Sequence, residues 1–333
     1  MDNFWSELLD YARWTPSPHN VQAWKLKIIS DTEADLYYDP KRLLPVTDPT
    51  GCFSVMGLAM FVDSLSLAAN LKGLKVEPKY QKKDFNFKSD VPVLFANLKL
   101  VPVTENESLS RELIKNRRTS RLPYNNIPIS EDLIKLFQAE TEKFGHHLFA
   151  SSEEKMVKWV MDLNRDTLFY DMGDEHARKE IGALLRYTDE DAKKHKDGLW
   201  SYCFHIPGWF MNLFFNHEKF FELPVIKQIL LFYYETTMRG TRTVAWIQGP
   251  FKNFDDYVSA GYAFNRVWLK MAEQNVYLHP FGSVITNPNA HERLKEKFHI
   301  NESNEKMWIL LRVGYSDTPP RSLRLDTEEI ILK

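Results

Sequence analysis

Five consecutive residues, Arg117-Arg118-Thr119-Ser120-Arg121, combine three arginines with two hydroxyl groups. Guanidinium groups form paired, charge-assisted hydrogen bonds with phosphate, and hydroxyl groups donate to or accept from a polyhydroxylated chain. The turn that contains these residues therefore suits a phosphorylated, sugar-like ligand. The alternative that the sequence leaves open is a basic turn that faces solvent.

A second polar stretch reads TPSPHNVQAW. Pro16 and Pro18 stiffen a loop that also presents the short polar side chains of Ser17, Asn20 and Gln22. Because a stiff loop has little conformational entropy to lose, it can present hydrogen-bonding groups to a planar polar ligand. The alternative is a helix-to-strand turn in which these side chains satisfy only the backbone.

The end of the chain supplies further arginines. Arg312 lies within the hydrophobic run WILLRVGY. A buried arginine needs an anionic partner, and a structural carboxylate is the expected one here, ahead of a ligand phosphate. Arg321 and Arg324 follow on a proline-containing arm, where they either reach a phosphate or face solvent.

The composition is that of an ordinary globular protein: 333 residues, 44% hydrophobic, 26% charged and a formal net charge of −2. The nearly neutral charge argues against a nucleic-acid-binding protein. Cys52 and Cys203 are far apart, which argues against a disulfide scaffold and a thiolate zinc site. Because motifs such as G-x-G-x-x-G and H-E-x-x-H are missing from the sequence, we expect neither a Rossmann site nor a metal.

The start of the sequence has no basic and apolar segments of the kind found in signal peptides. The longest apolar stretch, residues 54–71, contains Asp63 and several serines and is better explained as a core helix than as a membrane span. We therefore expect a cytoplasmic protein.

The spacing of apolar residues predicts the main elements. Helices are predicted at 2–13, 55–71, 255–275, from Ser130 to about residue 144, and from a Ser151/Glu154 capping box to about residue 170. Strands are predicted at 23–30, 34–39, 91–103, 147–151 and 307–315. The charged segment 173–196 is predicted to be helical, and 318–333 to be a Pro/Arg-rich arm.

One apolar pattern occurs twice. Residues following Gly57-Leu58-Ala59 and Gly261-Tyr262-Ala263 match at the same offsets: Leu65, Leu67, Ala68 and Leu74 in one copy, Leu269, Met271, Ala272 and Leu278 in the other. A duplication would give two similar halves related by a pseudo-twofold axis, as in a dimer. The alternative is that any two buried helices share small and apolar positions.

The order of elements lacks regular βαβ alternation. We therefore predict an α+β fold, a mostly antiparallel sheet flanked by helices, with the helices that begin near residues 55 and 255 crossing at its centre.

Residues 200–234 carry about a dozen aromatic side chains. We favour a pair of core helices as the explanation. The alternatives are a lid over a bound cofactor and a patch that binds a membrane surface or a partner.

Together these segments resemble the FMN-dependent nitroreductase family. The matching stretches are PSPHNVQAW, DPKRLLPVTDPTG, NRRTSRLPY, AGYAFNRVWLKMAEQNVYLHPFG and LLRVGY with its arginine-rich tail. The resemblance covers most of the chain apart from roughly residues 161–253. It is closest to the branch in which two halves are fused, here 1–108 and 109–333, with an aromatic lid or insert around 173–250. The halves would form one intertwined domain that mimics the family's dimer.

The resemblance implies roles for the arginine turn. Arg117 would meet the phosphate or ribityl chain of FMN, and Thr119 the ribityl chain. Arg121 would lie near the N1/O2 edge of the flavin ring and act electrostatically. Arg118 belongs to the same cofactor-binding set. No side chain is expected to be catalytic, because the hydride chemistry takes place at flavin N5.

The other cofactor-binding residues implied by the resemblance come from three places in the sequence. Those expected to border the flavin ring are Pro16, Ser17, Pro18 and Asn20, with Gln22 beside them. Those expected to approach N5 by their backbone are Phe281 and Gly282. Those expected to reach the phosphate are Arg321 and Arg324.

Departures from the family pattern limit the number of sites. Ala23 stands where the family has a proline, the first half has no arginine turn of its own, and the second half has no copy of the PSxxN loop. Only one composite site is complete, so we expect one FMN per chain.

The resemblance implies an FMN-dependent oxidoreductase that uses NADH or NADPH to reduce nitroaromatics, quinones or similar acceptors. The alternatives are a protein that binds or sequesters FMN with little or no turnover, and a relic of the fold without a cofactor. We expect a small-molecule acceptor as the partner, no nucleic acid, no membrane, and a monomer or homodimer.

Overall fold

The computed structural model describes residues 4–103, 107–216, 223–302 and 305–333. Within these ranges the chain forms two four-stranded antiparallel sheets, a two-stranded parallel ribbon, and helices that flank the sheets. The predicted α+β class is confirmed.

The first sheet and its helices come from the start of the chain. In order they are α1 (Phe4–Ala12), β1 (Trp24–Ile28), β2 (Glu33–Tyr38), α2 (Cys52–Ala69), β3 (Leu74–Tyr80) and β4 (Val93–Pro102). The strands lie in the order β1-β2-β4-β3, and every neighbouring pair is antiparallel. The predicted hairpin, central helix and strand at 91–103 are confirmed.

The middle of the chain contributes the first strand of the second sheet and then a long segment outside that sheet. The connecting elements are α3 (Glu112–Asn116), α4 (Glu131–Glu142) and β5 (His147–Ser151). Residues 152–242, which we call the insert, contain α5 (Glu154–Asp171), α6 (Glu175–Ala183), β6 (Leu185–Arg186), α7 (Asp189–His195), β7 (Leu199–Trp200), α8 (Gly208–Asn216) and α9 (Pro224–Met238).

The second sheet is completed by the last third of the chain. Its elements are β8 (Thr243–Gly249), α10 (Phe254–Glu273), β9 (Tyr277–Pro280), α11 (Gly282–Thr286), α12 (Pro288–Phe298), β10 (Lys306–Gly314) and the short α13 (Thr327–Ile330). The strands lie in the order β5-β8-β10-β9, again with every neighbouring pair antiparallel.

The two sheets repeat one plan. In each repeat a helix precedes the first strand, and a long helix, α2 or α10, lies between the second and third strands. The four strands lie in the spatial order first, second, fourth, third. The helices α2 and α10 carry the two copies of the repeated apolar pattern except for its last residue, which is Leu74 of β3 in one copy and Leu278 of β9 in the other. This arrangement agrees with the predicted pseudo-twofold, while the half boundaries at 108 and 109 stay a prediction.

Helices α2 and α10 pack against each other at the centre. A Cβ atom on Gly261 would lie 2.7 Å from the carbonyl oxygen of Met56, so the close approach depends on glycine at this position. Asp63 of α2 is buried and accepts hydrogen bonds from Arg266 Nη2 at 2.7 Å and from Asn265 Nδ2 at 2.8 Å. A buried ion pair therefore joins the two repeats.

The stretch Cys52–Lys72 has the length and apolar character of a membrane span. In the fold, 83% of its most apolar window is buried inside the protein. This helix is therefore a core helix, as the sequence predicts.

Several elements differ from their predictions. Strand β3 was not predicted, because its exposed edge carries Lys75, Glu77 and Lys79 around the inward-facing Val76. Ser130 caps α4 as expected, its Oγ accepting from the Leu133 amide. The predicted Ser151/Glu154 capping box is wrong.

The residue before α5 is Glu153, and Ser151 Oγ accepts from the amide of that residue instead of the Glu154 amide. Segment 173–196 contains α6 and α7, but β6 separates them.

The aromatic segment, of which residues 217–222 lie outside the described residues, is in its described part not the core helix pair that we favoured. Met211 of α8 and Leu230 of α9 are buried, but Trp209 and Phe232 are each 71% exposed. Both helices therefore border solvent. The turn before α8 instead approaches the arginines described below.

Candidate functional site

Trp14, the residue that precedes the proline loop, contacts both the arginine turn and the C-terminal arm. Arg117 Nη2 of the turn approaches the Trp14 carbonyl oxygen at 3.4 Å. Arg321 of the arm stacks on the indole, with its guanidinium carbon 3.2 Å from the ring centroid. Asn20 Nδ2 of the loop donates to the Leu323 carbonyl at 3.2 Å. The arginine turn and the arm thus share one crevice with Trp14, and the proline loop contacts the arm through Asn20.

Five arginines line a cavity in this crevice, which we call the arginine pocket. They are Arg117, Arg118, Arg121, Arg321 and Arg324, and they share the lining with Trp14, Thr119, Cys203, Pro320 and Ser322. The cavity volume is about 30 Å³. The turn is fixed to the second sheet, because the Ser120 amide donates to the Leu278 carbonyl of β9 at 3.1 Å.

Most of these arginines have buried nitrogen atoms without a hydrogen-bond partner. The unpartnered atoms are Arg117 Nε and Nη1, Arg121 Nε, Arg321 Nη2 and Arg324 Nε. Within the described ranges none of the five guanidinium groups forms an ion pair with a carboxylate. Buried donors of this kind are costly unless an acceptor reaches them, so the pocket is built for an anion.

The electrostatics of the pocket agree with this. Burial, reinforced by the charges of Arg324 and Arg321, holds the pKa of Arg117 well below its usual value. Burial lowers the pKa of Arg321 to about 10, and the neighbouring charge of Arg118 adds to the effect. Burial likewise lowers the pKa of Arg324 to about 10, here with the added charge of Arg321. An added anion would relieve both the desolvation and the mutual repulsion.

The surroundings of Arg121 are aromatic. Its guanidinium carbon lies 4.0 Å from the centroid of the Phe204 ring, which comes from the insert. His279 of β9 is nearby, and burial together with the charges of Arg121 and Arg312 holds its pKa well below 6.5. Its Nδ1 is buried without a partner. A neutral imidazole therefore stands beside a fixed cation.

The side chains of the proline loop form structural hydrogen bonds. Gln22 donates from Nε2 to the Lys196 carbonyl at 2.9 Å and accepts from the Leu325 amide at 2.9 Å. Ser17 Oγ accepts from the Gln22 amide at 3.0 Å. Asn20 Nδ2 also donates to the Gly198 carbonyl at 3.2 Å, while its Oδ1 has no partner. Ser17 and Gln22 therefore form hydrogen bonds with backbone groups, which is the alternative that the sequence left open. The same set of contacts joins the loop to the arm and to the insert.

Pro18 of the loop faces the central helix α2. Pro18 Cδ lies 3.4 Å from the position that a Cβ on Gly57 would take. Pro16 is half-buried on the same loop. The loop backbone is strained, with φ of 45° at His19, 59° at Asn20 and 52° at Gln22, a region that non-glycine residues seldom adopt.

Phe281 and Gly282 follow β9. The Phe281 amide donates to the Leu310 carbonyl at 2.8 Å, and its side chain is buried. Gly282 is exposed at the start of α11. The lining of the arginine pocket, as far as the described residues define it, does not include these two residues, and their contact with a cofactor stays a prediction.

Arg312 corrects one prediction. Among the described residues no carboxylate serves as its partner: its guanidinium group donates to the carbonyl oxygens of Thr237, Ser120 and Leu122 at 2.9, 3.1 and 3.0 Å and lies over the Tyr124 ring. Three carbonyl dipoles and a ring face together replace the expected anion. Arg312 thereby holds the arginine turn against α9 of the insert.

Four residues of the site were not predicted from the sequence: Trp14, Cys203, Phe204 and His279. Trp14 had a local signal, since it directly precedes the proline loop. Cys203 and Phe204 had none, because the insert lies outside the segments that carry the family resemblance.

The hydrogen-bond donors of the pocket suit the phosphate group of FMN, but the volume of the cavity is too small for the flavin ring. Unpartnered guanidinium nitrogens suit a phosphate. Pockets for ligands of cofactor size commonly have about 300–1,000 Å³, far more than the volume enclosed here. With Phe204 and Cys203 in these positions, the pocket has room for no flavin ring.

Comparisons with known proteins gave matches only among solved structures. No family model matches the chain, and no curated protein does. The FMN and NADPH-dependent nitroreductase NfnB from sphigopyxis sp. strain HMH is 11% identical over 67% of this chain and 97% of its own, with a TM-score of 0.43.

Two further solved structures have lower TM-scores. The FMN-dependent nitroreductase NfnB from Mycobacterium smegmatis in complex with NADPH is 15% identical over 62% of this chain and 86% of its own, with a TM-score of 0.35. A nitroreductase with bound FMN from Bacteroides fragilis NCTC 9343 is 12% identical over 62% and 87%, also at 0.35. The chain is thus similar to solved structures of the family that its motifs resemble, and its place in the fused two-half branch stays a prediction.

Proposed function

We propose that the protein is an FMN-dependent oxidoreductase of the nitroreductase type, which uses NADH or NADPH to reduce nitroaromatic, quinone or similar acceptors. The observation that carries the proposal is the arginine pocket, in which guanidinium groups from the turn and the arm converge and none of the described lining residues is a carboxylate. The motif order in the sequence supports the choice of FMN among phosphorylated ligands.

The residues that would hold the cofactor divide by chemistry. Arg117, Arg321 and Arg324 present unpartnered nitrogens and would bind the phosphate. Thr119, which lines the pocket, would bind the ribityl chain. When bound, FMN supplies hydride transfer at N5.

Arg121 has an electrostatic task in this proposal. Its guanidinium group is half-buried beneath the Phe204 ring. A fixed cation in such surroundings stabilises negative charge that develops on a neighbouring ring edge without reorganising first. We expect Arg121→Ala to weaken FMN binding and to lower the reduction potential of the bound flavin.

The test begins with the purified protein and added FMN. A bound flavin spectrum after gel filtration is expected, followed by bleaching when NADH or NADPH is added without oxygen and recovery when a nitroaromatic or quinone is added. A protein that takes up no FMN contradicts the proposal. An Arg121→Ala variant with unchanged affinity and potential contradicts the role of Arg121.

A second candidate function is favoured by the position of Phe204. Its ring covers Arg121, so a cofactor beneath it would be shielded from acceptors. The protein would then hold FMN with little or no turnover. Tight FMN binding without bleaching by either nicotinamide distinguishes this function from the first.

A further inference from the structure

The insert holds two side chains of the proline loop that were expected to lie at a flavin ring. Asn20 Nδ2 donates to the Gly198 carbonyl at 3.2 Å, and Gln22 Nε2 donates to the Lys196 carbonyl at 2.9 Å. The Gly198 amide in turn donates to the Asn20 carbonyl at 3.2 Å. Backbone groups of the insert therefore make the hydrogen bonds that were assigned to a ring.

The insert also covers Arg121. The Phe204 ring lies 4.0 Å from the guanidinium carbon of this arginine. The turn Ser201–Phe204 that carries the ring is held in place, because Ser201 Oγ donates to the Tyr187 carbonyl at 3.1 Å. A contact that was expected for the flavin ring is thus made by an aromatic side chain of the protein itself.

The arginine pocket keeps its donors for a phosphate. Buried nitrogens without a partner remain on Arg117, Arg321 and Arg324, and Arg117 is only 6% exposed. The cavity beside them has about 30 Å³, and none of its described lining residues is a carboxylate. Because one water needs roughly 10–15 Å³ by the same measure, the cavity admits a small oxyanion but no aromatic ring.

The chemistry of the lining favours an oxyanion with more than one negative charge. A guanidinium group forms paired hydrogen bonds with two oxygens of one ligand, which a chloride ion does not offer. The hydroxyl groups of Thr119 and Ser322 line the same cavity and add donors or acceptors as needed. A dianion also relieves the mutual repulsion of neighbouring arginines more than a monoanion does.

We propose that the arginine pocket binds a free tetrahedral oxyanion, inorganic phosphate, and that this binding does not depend on a flavin ring. The inference goes beyond the proposed function, because it assigns the pocket a ligand other than the cofactor. The phosphate ester of FMN offers the same chemistry. The two ligands would therefore exclude each other at Arg117, Arg321 and Arg324.

Isothermal calorimetry of the full chain with sodium phosphate tests the inference, at a constant ionic strength set with sodium chloride. We expect saturable binding of one phosphate per chain. Injections of phosphate that give no more heat than injections of sodium chloride overturn the inference.

Two pocket variants locate the bound phosphate. Arg117→Met and Arg324→Gln each remove unpartnered donors and should raise the dissociation constant for phosphate by about tenfold or more. Arg239→Met, at an exposed position outside the pocket, is the matched control and should leave it unchanged. Circular dichroism shows which variants fold, and either pocket variant is sufficient. A folded pocket variant that binds phosphate as the native protein does overturns the inference.

Competition separates the anion site from the flavin. FMN should displace phosphate, whereas riboflavin, which has the ring but no phosphate, should not. Displacement by riboflavin overturns the inference. If phosphate binds and FMN neither binds nor displaces it, the proposed function fails and the anion site stands. If FMN binds and phosphate does not, the anion site fails and the proposed function stands.

Discussion

Arg117 is the most buried of the five pocket arginines, at 6% exposure, and two of its nitrogens have no partner. Its guanidinium group lies 4.2 Å from the centroid of the Trp268 indole ring, which compensates only in part for lost water. A cation in this situation destabilises the protein until an anion arrives. Binding and stability therefore make opposite demands on this residue.

Arg117→Met should separate these demands. Without ligand, we expect the variant to be more stable by about 1–2 kcal/mol, because methionine fills the space without a buried charge. With FMN, we expect its dissociation constant to rise about 10–100-fold, through loss of charged hydrogen bonds. Thermal unfolding with and without FMN, and a fluorescence titration, measure both effects.

Arg239→Met is the matched control, because Arg239 is exposed outside the pocket. We expect this variant to change neither the stability without ligand nor the dissociation constant for FMN. A variant at position 117 that is less stable and binds FMN normally would show that this arginine serves only the fold.

His146 predicts how stability depends on pH. Burial lowers its pKa to about 4, against the attraction of Asp256, and its Nδ1 accepts from Trp308 Nε1 at 3.2 Å. As pH falls from 6.5 to 4, the unfolded chain takes up this proton before the folded one, so stability falls over that window. The loss from this one residue is about 2–3 kcal/mol.

Urea unfolding between pH 7.5 and 4.5 measures this slope. His146→Gln should flatten it, since glutamine has no proton to gain. His176→Gln, at an exposed position on α6, should leave it unchanged. An equally steep slope in His146→Gln would assign the acid sensitivity to other groups.

At the scale of elements, the contact between α2 and α10 depends on Gly261. A methyl group there would meet Met56 O at 2.7 Å and Ala59 Cβ at 2.8 Å, both on a helix that cannot yield locally. We expect Gly261→Ala to lower the free energy of unfolding by about 1–3 kcal/mol.

Gly182→Ala is the comparison, because Gly182 lies in α6 with no atom within 4 Å of a new Cβ. Helix propensity alone should make that variant more stable by about 0.5–1 kcal/mol. Chemical denaturation of both variants tests the pair, and a Gly261→Ala protein as stable as the native one would mean that the helices can separate without loss.

The sequence predicted well those elements whose buried residues form a long or regularly spaced apolar pattern. Helix α2 is apolar on nearly every side, and β4 has a long apolar run, so pattern alone placed them. Strand β3 was not predicted because its outward residues are charged. The partner predicted for Arg312 was wrong because backbone carbonyl oxygens are present at every residue and so give no sequence signal. The position of the turn Ser201–Phe204 depends on contacts between residues about eighty to a hundred and twenty positions apart, which no local pattern encodes.

At the scale of the whole molecule, the repeat is complete in its sheets but not in its loops. Residues 13–23 connect α1 to β1 and contain the proline loop, whereas only residues 143–146 connect α4 to β5. The second connection is too short for a similar loop, and buried His146 occupies it. This asymmetry supports the prediction of one cofactor site per chain.

Equilibrium titration of the purified protein with FMN, followed by isothermal calorimetry, tests the composite site most directly. We predict one FMN per 333-residue chain, with affinity reduced at least tenfold in Arg117→Met. Two FMN molecules per chain would restore a symmetric pair of sites, and no binding at all would contradict the assignment of the arginine pocket to this cofactor.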